Sequence, residues 1–557
     1  MLEFVLPVSR GDLLTATTTS YAVNETCSVR GIISKVQDCQ RKLVREGLLG
    51  VLQYFDVLYS VLHEWKSVDV NVKEDAWNVV LKGCETTMRE LVNILSRLSG
   101  PNTTLNRSLV SEYRNSTKMH TYLLCQLVEM IENDITAESN IAAATKVGRG
   151  RGKSSAARNR AADATFSFDW STECTNAVTT LDQLCKLEIK NLWDPPVVEE
   201  DFVNLLANCC YKLLENKSLA ANVSVRTAIT NLLTTLIHRY KHGIACCVKL
   251  AQLLQCFAHM ANCLSLIVNR LMEEESMVPF VKELLSEICS YNNEDLERDS
   301  SATHNFCLFL ETVSSTHPVL AISILPLIRS RLNEDPYQMR NCALSVIGEV
   351  LRNLCSRPQL EAKDKIQRDR LMDVLQEHIH DANGFVRARA LQIWYNLASA
   401  KGLPVKRQVQ LARLLVGPEG AINDISSFAR KYALRLLTAM LVQSPAAKLS
   451  GSDLVSVLTK EEERLKILED SFAAICGAEF QAALPGDDME TDENGEQRTD
   501  KNANRKKTKK KKKKKEKKKL NFSSSEEEEE ESEDATEEDV EDGSTKAEEG
   551  ETRNHRR

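Results

Sequence analysis

A chain of 557 residues that is 42% hydrophobic but only 5% aromatic, with 21 glycines and 13 prolines, exceeds one hydrophobic core and argues against a turn-rich β architecture. The net charge of −7 is uneven: residues 486–557 hold 24 acids and 19 bases, so the rest is nearly neutral and any basic surface must be a local patch. The 17 cysteines are scattered through apolar segments with no C-x-x-C spacing, which speaks against a disulfide frame and for reduced, buried thiols. The start MLEFVLPVSRGDLL has neither a basic n-region nor a long apolar h-region, and no apolar run approaches the ~20 residues that span a bilayer. The expectation is a cytosolic or nuclear protein with no membrane partner.

Residues 1–145 read as an N-terminal helical domain. In EGLLGVLQYFDVLYSVLHEW, Leu48, Leu52, Phe55, Tyr59 and Leu62 form one stripe, widened by Val51, Leu58 and Trp65. A face that wide needs partners on more than one side. Residues 146–165, KVGRGRGKSSAARNRAADAT, lack periodicity and read as a flexible basic linker carrying Arg149, Arg151, Lys153, Arg158 and Arg160. Residues 166–484 read as a solenoid of helices of roughly 12 to 18 residues joined by short polar turns. Pro195 and Pro196 break one segment, and Phe202, Leu205, Leu206, Cys209 and Leu213 open the next stripe.

Three stretches in that region resemble one another. Asp335 precedes MRNCAL with Arg340, Asp381 precedes VRARAL with Arg387, and Asp424 precedes ARKYAL with Arg430. The arginines stand 47 and then 43 residues apart, the ~40–47 period of HEAT and armadillo arrays. A fainter copy surrounds Arg226. Val386, Ala390, Ile393 and Leu397 are expected to face the core, with the arginine reaching the aspartate of its own turn or of an adjacent repeat. Asp335, Arg340, Asp381, Arg387, Asp424 and Arg430 are therefore read as structural. Arg389 and Lys431, which the repeat does not require, are candidates for an exposed basic surface or simply a solvated face.

Residues 485–557 are of low complexity: 13 of the 15 positions 505–519 are Lys or Arg, and 526–531 are all glutamate. Like-charge repulsion and chain entropy keep such segments from folding alone. Lys506, Lys510 and Lys514 join the linker arginines as candidate DNA contacts. Ser523, Ser524 and Ser525, ahead of the glutamates, suit an acid-directed kinase.

A search for chemistry finds no P-loop, no H-E-x-x-H, no G-x-S-x-G and no cysteine–histidine zinc pattern. His378 and His380, two apart, point to different sides of a helix and cannot ligate from one face. The reading is an all-α HEAT/armadillo-like solenoid, not an enzyme, with no catalytic residue, metal or cofactor. Its basic segments supply sequence-independent attraction to phosphate.

QYFDVLYSVLHEW, the basic run before FDW, LWDPPVVEEDFVNLLANCCYKLLEN, DPYQMRNCALSVIGEVL, DANGFVRARALQIW and SSFARKYALRLL occur in this order. Together they resemble the N-terminal half of the HEAT-repeat subunit 1 of condensin I, the D-type non-SMC regulatory family, from Glu3 to about Glu469. The resemblance implies a non-catalytic component of a complex for mitotic chromosome condensation. Its partners would be SMC ATPase subunits, a kleisin subunit, a second HEAT subunit, double-stranded DNA or chromatin, and histones. It implies a place in the nucleus and on mitotic chromosomes, and in the cytoplasm in interphase. Family members carry a second large HEAT block where this sequence has a Lys/Glu tail, so the chain reads as a short isoform, a fragment or a mispredicted gene product. The rival reading is another HEAT or armadillo scaffold, such as a nuclear transport receptor or a phosphatase scaffold.

Overall fold

The computed structural model describes residues 2–15, 20–23, 25–98, 106–147, 166–291, 300–333, 335–444 and 450–482. Among them the architecture is all-α, and the only extended pairing is an isolated bridge between Glu3 and Ser20. Two units separate, residues 1–454 and 455–557.

The first unit begins with α1 (Val29–Glu46), α2 (Val51–His63), α3 (Val70–Leu98) and α4 (Arg107–Val147), which pack on one another. The stripe read from the sequence is buried here: Leu48, Phe55, Tyr59 and Leu62 are each at most 2% exposed, as are Val51, Leu58 and Trp65. Leu52 is half-buried at its margin. Helices α3 and α4 have 29 and 41 residues, beyond the 12 to 18 expected of the helices in 166–484. The cause lies in α4, which contacts α2, α3 and the helix beginning at Glu200, and is buried all round at Asn115–Thr121. A helix covered on every side shows little amphipathic periodicity, so its length is hard to read from sequence. At its crossing with α3, a Cβ on Gly83 would stand 2.7 Å from the His120 ring, so only glycine lets the two helices meet.

Next come α5 (Trp170–Lys186), α6 (Glu200–Glu215) and the single turn α7 (Lys217–Ala221). Then follow the pairs α8 (Val223–Tyr240) and α9 (Gly243–Cys256), α10 (Met260–Leu271) and α11 (Val278–Ser290), and α12 (Ser301–Thr316) and α13 (Pro318–Ser330). The last are α14 (Tyr337–Ser356) and α15 (Ala362–Glu377), α16 (Gly384–Ser399) and α17 (Val405–Val416), then α18 (Ser427–Gln443). The packing sorts them into two rows. The first helix of each pair stacks on the first helix of the next, in the order α5, α8, α10, α12, α14, α16, α18. The second helices α6, α9, α11 and α13 stack likewise. This is a helical-hairpin solenoid, in which each hairpin buries its apolar face mainly against its neighbours.

Val386, Ala390, Ile393 and Leu397 of α16 are all in the core, and so are Phe202, Leu206, Cys209 and Leu213 of α6, with Leu205 partly covered. At Gly348 on α14 a Cβ would lie 2.8 Å from Cγ2 of Ile393 on α16. The second unit contributes one described helix, α19 (Gly451–Ala482), which begins at the boundary. Its Val455, Leu458, Leu465 and Leu468 are exposed.

Candidate functional site

The repeat motif forms equivalent corners. Short 3-10 turns at Arg331–Asn333, His378–His380 and Ala421–Asn423 each lead, within one or two residues, to Asp335, Asp381 or Asp424, and the first-row helix starts two or three residues later. Asp381 Oδ1 accepts from Asn383 N (2.8 Å) and Asp424 Oδ1 from Ser426 N (2.7 Å), the local bond that suits Asp to a turn before a helix. The arginine one turn into each helix ties the corner together. Arg387 Nη1 donates to the carbonyls of Asp381 (2.9 Å) and Ala382 (3.0 Å); Arg430 Nη1 donates to those of Asp424 (2.7 Å) and Ile425 (2.8 Å). Arg226, in the fainter copy, does the same to Ala220 (2.9 Å) and Ala221 (3.2 Å), closing the end of α7.

The other edge of the guanidinium crosses to the next layer. Arg387 is bidentate to Asp424, Nε to Oδ2 at 2.7 Å and Nη2 to Oδ1 at 2.8 Å. Such a fork-to-fork pair is among the stronger charge-assisted contacts. Arg340 Nε stands 3.4 Å from Asp381 Oδ2 while Nη1 donates to its own Asp335 at 2.7 Å. Asp381 and Asp424 are 9% and 10% exposed, but Asp335, at the start of the series, is 90% exposed. The hydrogen bond from Arg387 holds the Asp424 carboxyl below its usual range.

Arg389, expected on an exposed surface, is instead largely engaged. It donates to Glu311 Oε1 (2.9 Å) on α12, Ser345 Oγ (2.7 Å) on α14 and Gln392 Oε1 (3.0 Å) on its own helix, joining three layers. Sequence spacing gave no hint of this because the acid lies 78 residues away. Lys431 is exposed, with its Nζ 6.0 Å from the Tyr432 ring. Arg149, Arg151, Lys153, Arg158, Arg160, Lys506, Lys510, Lys514, Ser523, Ser524 and Ser525 lie outside the described residues.

Residues that the sequence reading passed over form a groove of about 600 Å³ across α12, α14, α16 and α18. Its walls include Cys307, Leu308, Asn341, Phe385, Phe428 and Tyr432. Above it runs an aromatic series, Tyr337 to Phe385 (centroids 5.6 Å) and Phe385 to Phe428 (5.7 Å), with both phenylalanines half exposed. Phe385 and Phe428 stand two residues before their motif arginines. That register was the available signal.

Titratable groups elsewhere serve the core. The Glu132 carboxylate, 2% exposed, accepts from Trp170 Nε1 (2.7 Å), Asn216 Nδ2 (2.6 Å) and Thr136 Oγ1 (2.9 Å), fastening α4 to the chain from FDW to α7. Trp77 Nε1 donates to Glu173 (2.7 Å) and its ring packs edge-on to Trp170. His120 lies between the hydroxyls of Tyr54 (2.9 Å) and Thr87 (3.0 Å), and burial pushes its pKa down to about 3, so it is neutral. Burial pushes the thiols of Cys39, Cys246 and Cys289 up to about 12, which leaves them inert. Nδ1 of His378 lies 3.3 Å from Asp381 Oδ2. Among the described residues no three His, Cys, Asp or Glu side chains converge on a point that could hold a metal ion, and no helix is long and apolar enough to cross a membrane.

Residues 70–246 match the family described as non-SMC mitotic condensation complex subunit 1, N-terminal region. Condensin complex subunit 1 of Homo sapiens is 34% identical over 470 residues, covering 84% of this chain and 32% of that protein. The Xenopus laevis protein of the same name is 31% identical, covering 84% and 34%, and that of Saccharomyces cerevisiae 20%, covering 60% and 28%. The chain thus spans about a third of the length of the vertebrate relatives it matches. The matched family region runs from α3 into α9 and takes in Trp77, Glu132, Trp170 and Asn216. By this similarity of sequence the chain belongs to the condensin subunit 1 family.

Proposed function

We propose that the chain is a non-catalytic regulatory HEAT subunit of a condensin complex, acting in mitotic chromosome condensation. The observation that carries this reading is the 34% identity sustained over 84% of the chain, across the whole hairpin array. The array suits a scaffold: a stack of hairpins offers long surfaces to several partners at once and needs no reaction centre. Its partners are SMC ATPase subunits, a kleisin subunit, a second HEAT subunit and double-stranded DNA in chromatin, with histones a further target. Its place is the nucleus and the mitotic chromosomes, and the cytoplasm in interphase. DNA contact falls to the basic segments around Arg149–Arg160 and Lys506–Lys514 and to Lys431 on α18, each neutralised phosphate steepening the logarithmic salt slope by about 0.9. The corner residues Asp335, Arg340, Asp381, Arg387, Asp424 and Arg430 serve the stack.

The test follows the tagged chain through mitosis and measures duplex DNA affinity between 50 and 200 mM salt, together with ATP hydrolysis. Enrichment on condensed chromosomes, affinity that falls steeply with salt and no ATP turnover are expected. Exclusion from mitotic chromosomes, or affinity indifferent to salt, overturns the proposal.

A further inference from the structure

We infer that the groove across α12, α14, α16 and α18 is a docking site for an extended peptide of another protein, one carrying an aromatic or large aliphatic side chain and an acidic cluster at one end. This does not depend on which complex the chain joins. Lining residues recur at helical spacing on each helix, among them Cys307 and Leu308 on α12, Ala388 and Gln392 on α16, and Phe428 and Tyr432 on α18. Four successive layers therefore present one continuous face. Adjacent packed helices lie ~8–10 Å apart, so three intervals span about 24–30 Å, the length of roughly seven to nine residues of extended chain at ~3.3 Å each.

The chemistry of the face varies along it. Over its last two layers, Phe385 of α16 and Phe428 of α18 are half exposed, side by side, with Tyr432 also lining the groove. This apolar surface has no cover among the described residues, and an apolar side chain lying on it would remove both from water. On α14 the side-chain oxygen of Asn341 is buried in the groove wall and accepts no hydrogen bond among the described residues. A buried amide oxygen calls for a donor, and an extended peptide brings backbone N–H groups at regular intervals. At the α18 end, Lys431 and Arg435 are exposed, flank the Tyr432 ring at 6.0 and 5.7 Å, and have no acid partner among the described residues. At the α12 end Glu311 is neutralised by its ion pair with Arg389, so among the described residues of the groove the unpaired positive charge is confined to the α18 end.

That polarity selects the occupant. A nucleic acid carries uniform negative charge, and only the α18 end offers unpaired cations to meet it. A peptide places its acids at one end only. The aromatic surface and the amide oxygen also answer to a peptide rather than to a sugar–phosphate backbone.

The experiment pans a random dodecapeptide phage library against the full-length chain, with Phe428→Ala and the double variant Lys431→Glu, Arg435→Glu as counter-selections. Both changes replace exposed residues, and thermal melts verify that the fold is kept. An enriched peptide is then titrated by fluorescence anisotropy beside a 20-base-pair duplex. Expected are peptides with an aromatic residue a few positions from an acidic run, binding weakened at least tenfold by either variant, and loss of binding when lysine replaces the peptide's acids. The inference is overturned if no enriched peptide depends on Phe428. It is also overturned if the charge-reversal variant abolishes duplex binding while peptides are unaffected, or if Phe428→Ala dissolves a dimer of the chain and thereby shows the face to be filled by a second copy.

Discussion

Replacing Arg387 by alanine removes the strongest tie between the α16 and α18 layers. Asp424, 10% exposed, then keeps the Ser426 N–H but loses both guanidinium bonds, of 2.7 and 2.8 Å. Stranding a buried carboxylate costs ~3–5 kcal/mol. The corner retains some solvent access and its own Arg430 nearby, which lowers the expected cost to about 2–3 kcal/mol. Arg387→Lys keeps the charge without the fork and should cost about 1–2 kcal/mol. Urea unfolding followed by far-ultraviolet circular dichroism measures the total. Hydrogen exchange locates it: in an array coupled mainly through nearby layers, protection should fall in α18 and stay unchanged in α5 and α8. Acid adds a second readout. The carboxyl of Asp424 is depressed in the fold, chiefly by the Arg387 hydrogen bond, so its contribution is full above its ordinary value near 4 and lost as pH falls through the lowered folded value. The variant should lack that acid-side loss. A change within ~0.5 kcal/mol with unaltered exchange in α18 would refute the layer-to-layer tie.

Three further outcomes follow from the packing. Gly348→Ala should destabilise by about 1–3 kcal/mol in urea titration, although helix propensity alone would favour it by ~1, because its methyl meets Ile393 Cγ2 at 2.8 Å. His120 stays neutral in the fold with its pKa near 3, whereas the unfolded chain protonates below ~6.5; stability should therefore decline as pH falls from about 6.5 toward 3, by up to ~1.4 kcal/mol per pH unit, and His120→Gln should flatten that slope. With an aromatic disulfide reagent at pH 8, Cys256, the exposed thiol among the described residues, should react well before Cys84, Cys185 and Cys210, whose thiols burial pushes far up; mass mapping of the labelled peptides reads the order.

The hairpin array was legible because its corner chemistry repeats. Asp at the turn, Arg one turn into the helix and a small residue after it recur at nearly constant spacing, and Arg387 and Arg430 hold the carbonyls of their corners in the same way. The pairing partner was half legible: the motif admits a bond within the corner or to the next one, and only the stacking of α16 on α18 chooses Asp424 for Arg387. Arg389 was misread because its partners on α12 and α14 are remote in sequence, so an engaged guanidinium looks like a free one. The all-round burial of Asn115–Thr121 in α4 hid the role of His120, since a stretch without a polar face offers no period. The aromatic series was invisible as chemistry, though not as register: phenylalanine at the start of a helix reads as core until the neighbouring layers show it uncovered.

Affinity purification of the full chain from mitotic cells, with the stoichiometry of co-purifying proteins measured by mass spectrometry, puts the assignment to the most direct test. Near-equal amounts of two SMC ATPase subunits and a kleisin are the predicted result. Recovery of a phosphatase catalytic subunit or a Ran-type GTPase in their place, or of no stoichiometric partner, would contradict it.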